Sequence, residues 1–169
     1  PARVMLVGAM NPCPCGYHGD PHRACHCPLP IVDRYQRRLS GPLRDRFDLG
    51  VEVHAVPWTD LTGPETRESS AVVRTRVETA RARQLTRQRG LNCQLEGQAL
   101  RAVAGLTRDG QALLATAVTR MHLSVRGVSR VLRVSRTIAD LAGDTQVSRR
   151  HVAEALQYRV RERTPSLES

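Results

Sequence analysis

Four cysteines, Cys13, Cys15, Cys25 and Cys27, fall within 15 residues in the pattern C-x-C-x9-C-x-C, with His18, His22 and His26 interspersed. Four soft thiolates in one compact loop suit tetrahedral zinc, which would supply folding free energy to a stretch with little apolar content. Reduced thiols without a metal are the other reading. The fifth cysteine, Cys93, stands alone in a polar stretch. An odd, clustered set argues against a secreted disulfide scaffold, which usually spreads an even number along the chain.

The remaining chemistry rests on arginine. All 26 basic residues of the 169-residue chain are arginines, and the net charge is +10. Without lysine there is no Schiff-base amine and no G-x-x-x-x-G-K-[ST] phosphate loop. Phosphate recognition here must use guanidinium. Arg46, in Pro42-Leu43-Arg44-Asp45-Arg46-Phe47-Asp48-Leu49, could stabilise a transferring phosphoryl group or pair with Asp45 or Asp48 on a solvated loop. Arg126, in Ser124-Val125-Arg126-Gly127, falls at the second position of a helix capped by Ser124, where positive charge opposes the helix dipole. Its guanidinium and the first-turn amides would suit an anion; a surface arginine without a ligand is the alternative. Asn11 precedes Pro12 at the end of an apolar run, as a ligand-facing amide at a strand terminus or as a turn residue.

These residues need elements to hold them. Residues 4 to 10 form a short apolar run ending at Asn11-Pro12, as expected of a strand buried on both faces. Residues 12 to 30 lack periodicity and read as an inserted loop. Pro30 opens a helix with Ile31, Tyr35 and Leu39 on one face, ending at Ser40-Gly41-Pro42. Leu49, Val51 and Val53 alternate with Gly50, Glu52 and His54 as a second strand. Residues 59 to 68 read as a linker, and the pattern is helical from 69 to 169. Val73, Val77 and Ala80 line a helix reaching about Gln88 and stopped by Gly90; Leu95 to Ala104 and Asp109 to about Met121 are two more.

The two best-marked helices come last. One is capped by Ser124, stapled by Leu123 and Val128, carries the stripe Val128, Val131, Leu132, Ser135, Ile138, Ala139 and Ala142, and closes at Gly143. The other is capped by Ser148, stapled by Val147 and Val152, and runs to about Arg161. Charge divides with this organisation: residues 1 to 66 hold seven arginines and seven acids, whereas the rest holds 19 arginines and nine acids. Arg76, Arg83 and Arg87 form a row on the helix ending near Gln88, which could track a phosphate backbone or be a solvated face. Five aromatics in the whole chain disfavour an extended base-stacking platform. No apolar run approaches the roughly 20 residues of a membrane span, so a cytoplasmic protein is expected. The chain opens at Pro1 inside an apolar segment, which leads us to expect a piece of a longer protein.

Three stretches, Met10-Asn11-Pro12-Cys13-Pro14-Cys15-Gly16-Tyr17, Ser40-Gly41-Pro42-Leu43-Arg44-Asp45-Arg46-Phe47-Asp48-Leu49 and Arg133-Val134-Ser135-Arg136-Thr137-Ile138-Ala139-Asp140-Leu141-Ala142-Gly143, resemble the C-terminal half of the ComM/YifB family, magnesium-chelatase-like AAA+ ATPases. The resemblance covers nearly the whole chain. It implies an α/β fragment followed by an all-α part: residues 1–58 as the end of an AAA+ core with the Cys-rich loop 12–30, a linker at 59–68, and a helical lid at 69–169. It also implies that Walker A and Walker B lie upstream of Pro1. Asn11 then matches sensor 1, Arg46 the arginine finger acting in trans, with Arg44 as a competitor, and Arg126 sensor 2, with Arg133 as the alternative. The implied activity is a ring-forming, ATP- and Mg2+-dependent motor, a hexamer acting as a DNA helicase in natural transformation and recombination, with this piece inactive alone. A metal-insertion ATPase subunit is the alternative on the same fold. A zinc-stabilised, non-enzymatic nucleic-acid-binding module is the alternative of another class.

Overall fold

The computed structural model describes residues 4–44, 46–53, 55, 56, 58, 62 and 68–159. Two compact units divide between Arg46 and Phe47. Most of the expected linker, 59–68, lies outside the described residues.

In the first unit the Cys-rich loop leads into helix α1 (Leu29–Gln36) and the short α2 (Gly41–Arg44). Pro28 caps α1, and Pro30 sits in its first turn, where a missing amide proton costs nothing. The buried residue of α1 is Val32, and Ile31 is largely exposed. The inward face therefore departs from the Ile31, Tyr35 and Leu39 line. On the side of the loop, Gln36 Nε2 donates to Pro12 O at 3.0 Å.

Neither expected strand forms among the described residues. Val4, Met5, Leu6 and Val7 are between 71% and 89% exposed, and Leu49, Val51 and Val53 are also exposed. The physical reason is that a strand exists only through ladder bonds to a neighbour, which one apolar run cannot supply to itself. Residues 47–50 instead attach to the second unit: Arg130 donates to Phe47 O at 2.5 Å and the Gly50 amide to Tyr158 O at 2.7 Å. His54 lies outside the described residues.

The second unit is helical: α3 (Ser70–Gln88), a 3-10 turn (Asn92–Gln94), α4 (Gly97–Ala104), α5 (Arg108–Arg120), α6 (Val125–Ala142) and α7 (Arg149–Gln157). Helix α6 is the hub, packing against α3, the 3-10 turn, α4 and α7, while α5 packs on α7. Its boundaries are local. Ser124 Oγ accepts from the Gly127 amide at 3.1 Å, Leu123 is buried in the core with Val128 partly buried against it, and Gly143 ends the helix at φ 85°. Ser148 caps α7 with an unforeseen partner, its amide donating to Nδ1 of His151 at 3.1 Å. Helix α3 ends at Gln88 as expected, but Arg89 rather than Gly90 takes the left-handed conformation that stops it, at φ 54°.

Leu100, Ala104, Leu114, Ala117, Leu123, Val131, Leu132, Ala139, Val147, Val152 and Ala155 form the core. Two chain segments run side by side to build its floor: Leu106 and Val147 form a parallel bridge, so α5 and α7 start together. Gly110 sits where they meet, and a Cβ there would lie 2.9 Å from Val147 O. Val73 and Val77, expected on the inner line of α3, are exposed; its buried residues are Ala80 and Gln84. No helix among the described residues is long and apolar enough to cross a membrane.

Candidate functional site

The four clustered cysteines do converge. Their Sγ atoms lie within 4.8 Å of one another, with Cys13–Cys15 at 3.3 Å, Cys15–Cys25 at 3.5 Å and Cys13–Cys25 at 3.7 Å. A disulfide needs sulfurs about 2.05 Å apart, so these are separate thiols. Thiolates bound about 2.3 Å from a central tetrahedral ion would sit roughly 3.8 Å from each other, close to the separations found. A four-sulfur set of this size can hold a metal ion. Cys13 is fully buried and the other three face outward to differing degrees.

The backbone prepares that convergence. A turn brings the Gly16 amide to Cys13 O at 3.1 Å, with Gly16 at φ 87°, a conformation glycine adopts without strain. The Cys27 amide donates to Cys25 Sγ at 3.4 Å, and the Tyr17 and Cys15 amides lie near enough to the Cys15 and Cys27 sulfurs to favour their thiolates. Such donors favour thiolate and orient ligands as an outer shell does. The Tyr17 amide, helped by the neighbouring Cys13 thiol, draws Cys15 down to about 6. At Cys25 the Cys27 amide pulls the same way, but burial and the other thiols push it up to about 12. Crowded sulfurs thus share protons unevenly, and a cation is what would let all four ionise together. His18, His22 and His26 are not part of the converging set found among the described residues.

The other sequence-selected residues are placed separately. Asn11 is exposed two residues before Cys13. Arg46 is exposed, and its Nη1 donates to Pro42 O at 2.9 Å across the α2 turn. Asp45 lies outside the described residues. Arg126 is exposed in the first turn of α6 and makes no hydrogen bond or ion pair among the described residues. Arg133 is half-buried, its Nη1 lying 3.4 Å from Leu95 O.

The arginine row of α3 has partners inside the chain. Arg76 meets both carboxylate oxygens of Glu68 at 3.0 Å on the surface, a pair worth little. Arg83 donates to Asp140 O at 2.5 Å, and Arg87 grips the Asp140 carboxylate with Nη1 at 2.6 Å and Nη2 at 2.9 Å. Those two arginines fasten α3 to α6.

Asp140 is the centre of a buried network that sequence reasoning missed. Besides Arg87 it accepts from Asn92 Nδ2 at 2.9 Å and Arg136 Nε at 3.2 Å. Arg136, 1% exposed like Asp140, also donates to Asp144 O and Thr145 O. Burial pushes the Asp140 carboxyl up, but the bonds from Arg87 and Asn92 and the adjacent arginine charges outweigh it and hold the group below its ordinary range. Burial lowers Arg136, and Asp140 opposes that. The available signal was an Arg and an Asp four residues apart on the apolar stripe of α6, an i, i+4 pair facing inward. Its partners on α3 could not be read from the stripe.

Comparisons with known proteins cover the same two regions. The family description "Magnesium chelatase, subunit ChlI C-terminal" matches residues 67–159, and "Magnesium chelatase, subunit ChlI" matches residues 1–61. The chain is 41% identical to the YifB protein of Salmonella typhimurium over 164 residues, 96% of this chain and 32% of the relative. It is 42% identical to competence protein ComM of Haemophilus influenzae over 160 residues, 94% of this chain and 31% of the relative. For YifB of Escherichia coli the identity is 40% over 164 residues, again 96% of this chain and 32% of the relative. The chain thus spans about a third of the length of the curated relatives it matches.

Proposed function

Since this chain belongs to the magnesium chelatase ChlI family, we propose that it is the C-terminal part of a ring-forming ATPase motor acting on DNA, of the kind its similarity to a competence protein suggests. The observation that carries this reading is the succession of both family regions in one chain, with 42% identity to ComM across 94% of its length. The nucleotide-cradling motifs belong, in this reading, to the part of the whole protein that precedes Pro1. The full-length protein would bind ATP with Mg2+, assemble as a hexamer and work in the cytoplasm.

Within such a ring, Asn11 supplies an amide that can both donate and accept, suited to orienting an attacking water. Arg46 is permanently charged and exposed, and from a neighbouring subunit it would stabilise charge on the transferring phosphoryl group. Arg126 holds an exposed guanidinium beside first-turn amides, suited to the subunit's own nucleotide. The cysteine centre would hold zinc as a structural ion, four thiolates closing its coordination and leaving no open position for catalysis.

The test is Arg46→Ala in the full-length protein. ATP hydrolysis should fall by roughly a thousandfold or more, with ATP binding retained. Mixing this variant with one defective in its own nucleotide site should restore part of the activity if the finger acts in trans. Hydrolysis by the 169-residue chain alone, or an Arg46→Ala protein of undiminished rate, would sink the proposal.

A further inference from the structure

Taking the metal reading of the cysteine centre and the DNA reading of the whole protein as its base, we infer that the loop between the two C-x-C arms is a contact for single-stranded DNA, with Tyr17 and Arg23 as its working side chains. Tyr17 lies two residues after Cys15 and Arg23 two residues before Cys25. Both ends of the contact therefore lie two residues along the chain from a thiol of the sulfur centre.

The two side chains are assembled on each other. The Arg23 guanidinium carbon stands 5.1 Å from the Tyr17 ring centroid, and Arg23 Nη1 donates to the Tyr17 hydroxyl at 2.7 Å. Asp20 is the sole acid between residues 12 and 30, and it does not neutralise this arginine. Its Oδ1 accepts instead from the amides of His22 at 2.7 Å and Arg23 at 3.0 Å, which sets the backbone of the loop. No carboxylate pairs with Arg23 among the described residues. The outward groups of the loop are then an exposed guanidinium, a half-buried tyrosine and the imidazoles of His18, His22 and His26.

Holding an arginine at two points without an acid costs rotamer freedom and returns little in water. The same arrangement is ready for nucleic acid. An aromatic ring with a guanidinium beside it offers a face to an unpaired base, and the guanidinium's remaining N–H donors can reach a phosphate. In a duplex the base faces are already stacked, so one such station favours single strands. A single station is also what a chain with five aromatics can provide.

The experiment titrates a fluorescent oligothymidylate with the full-length protein loaded with a non-hydrolysable ATP analogue, while zinc is measured by elemental analysis. Tyr17→Ala should weaken binding by roughly tenfold, the loss of one stacked base, and Tyr17→Phe should keep most of it. Arg23→Ala should weaken binding severalfold and reduce the magnitude of the log–log salt slope by about 0.7, one phosphate contact on a single strand. Zinc should stay at one per chain in every variant. Binding within twofold of wild type in both alanine variants, with the salt slope unmoved, overturns the inference. A wild-type protein that fails to bind the oligonucleotide defeats the DNA reading instead, and one that carries no zinc defeats the metal reading.

Discussion

Replacing Asp140 by Asn tests how the helical unit is held. Four hydrogen bonds converge on the carboxylate, two from Arg87, one from Asn92 and one from Arg136, whose Nη2 also lies 3.0 Å from Oδ1. An amide keeps one acceptor oxygen and turns the other into a donor facing donors. Arg136, 1% exposed, is then left with neutral acceptors alone: the amide oxygen and the carbonyls of Asp144 and Thr145. Removing one partner of a buried pair typically costs about 3–5 kcal/mol, because the other charge stays buried without compensation. Against a domain stability of about 5–15 kcal/mol this is a large share. At roughly 4 °C per kcal/mol for a domain of this size, the melting temperature should fall by about 12–20 °C. Arg87 is 28% exposed, so Arg87→Gln should cost less, about 1–2 kcal/mol. Thermal and urea melts followed by circular dichroism give both values and, with the double variant, the coupling, which should exceed roughly 1 kcal/mol. If Asp140→Asn costs under about 1 kcal/mol, the network does not hold α3 to α6 and the reasoning fails.

Gly110→Ala should lose about 1–3 kcal/mol by overpacking, since its new methyl would meet Val147 O at 2.9 Å; an unchanged urea midpoint would show the two segments free to part. His151 is buried, and burial with the adjacent Arg150 charge lowers its pKa from 6.5, Asp144 opposing. The unfolded chain therefore binds the proton first, so stability should decline as pH falls below about 6.5 and decline again where Asp140, also lowered, takes its proton. Urea melts at stepped pH check this, and a His151→Asn variant that keeps the upper decline refutes the assignment. Purified protein should carry one zinc per chain, released by a chelator or as acid protonates the thiolates; Cys13→Ser, at the buried corner of the set, should abolish it, and full zinc in that variant would exclude the four-sulfur site.

Local signals located most of the helical unit. Ser124, Leu123 and Gly143 mark both ends of α6 through bonds made within a few residues, so the boundaries were legible without the fold. The same holds for the C-x-C arms, because each pair lies two residues apart in the chain. Where elements face was less legible. Val73 and Val77 look like an inner line, yet α3 turns Gln84, Arg83 and Arg87 to its partner, because the deciding contacts come from Asp140 and Asn92 more than 50 and a few residues away respectively. The apolar run at 4–10 has the composition of a buried strand, but strand pairing requires a second segment, and none is found among the described residues.

By itself, the sequence determined the residue chemistry: thiols spaced to meet, phosphate recognition left to arginine, and caps that start and stop helices. These depend on covalent identity and on contacts within one turn. Tertiary structure alone decided which charges are spent on packing and which remain available. Arg83, Arg87 and Arg136 are engaged around Asp140, while Arg23, Arg46 and Arg126 keep exposed guanidinium groups. The physical reason is that a guanidinium's partner is set by whatever the fold brings within about 3 Å, and at Asp140 those partners come from separate helices.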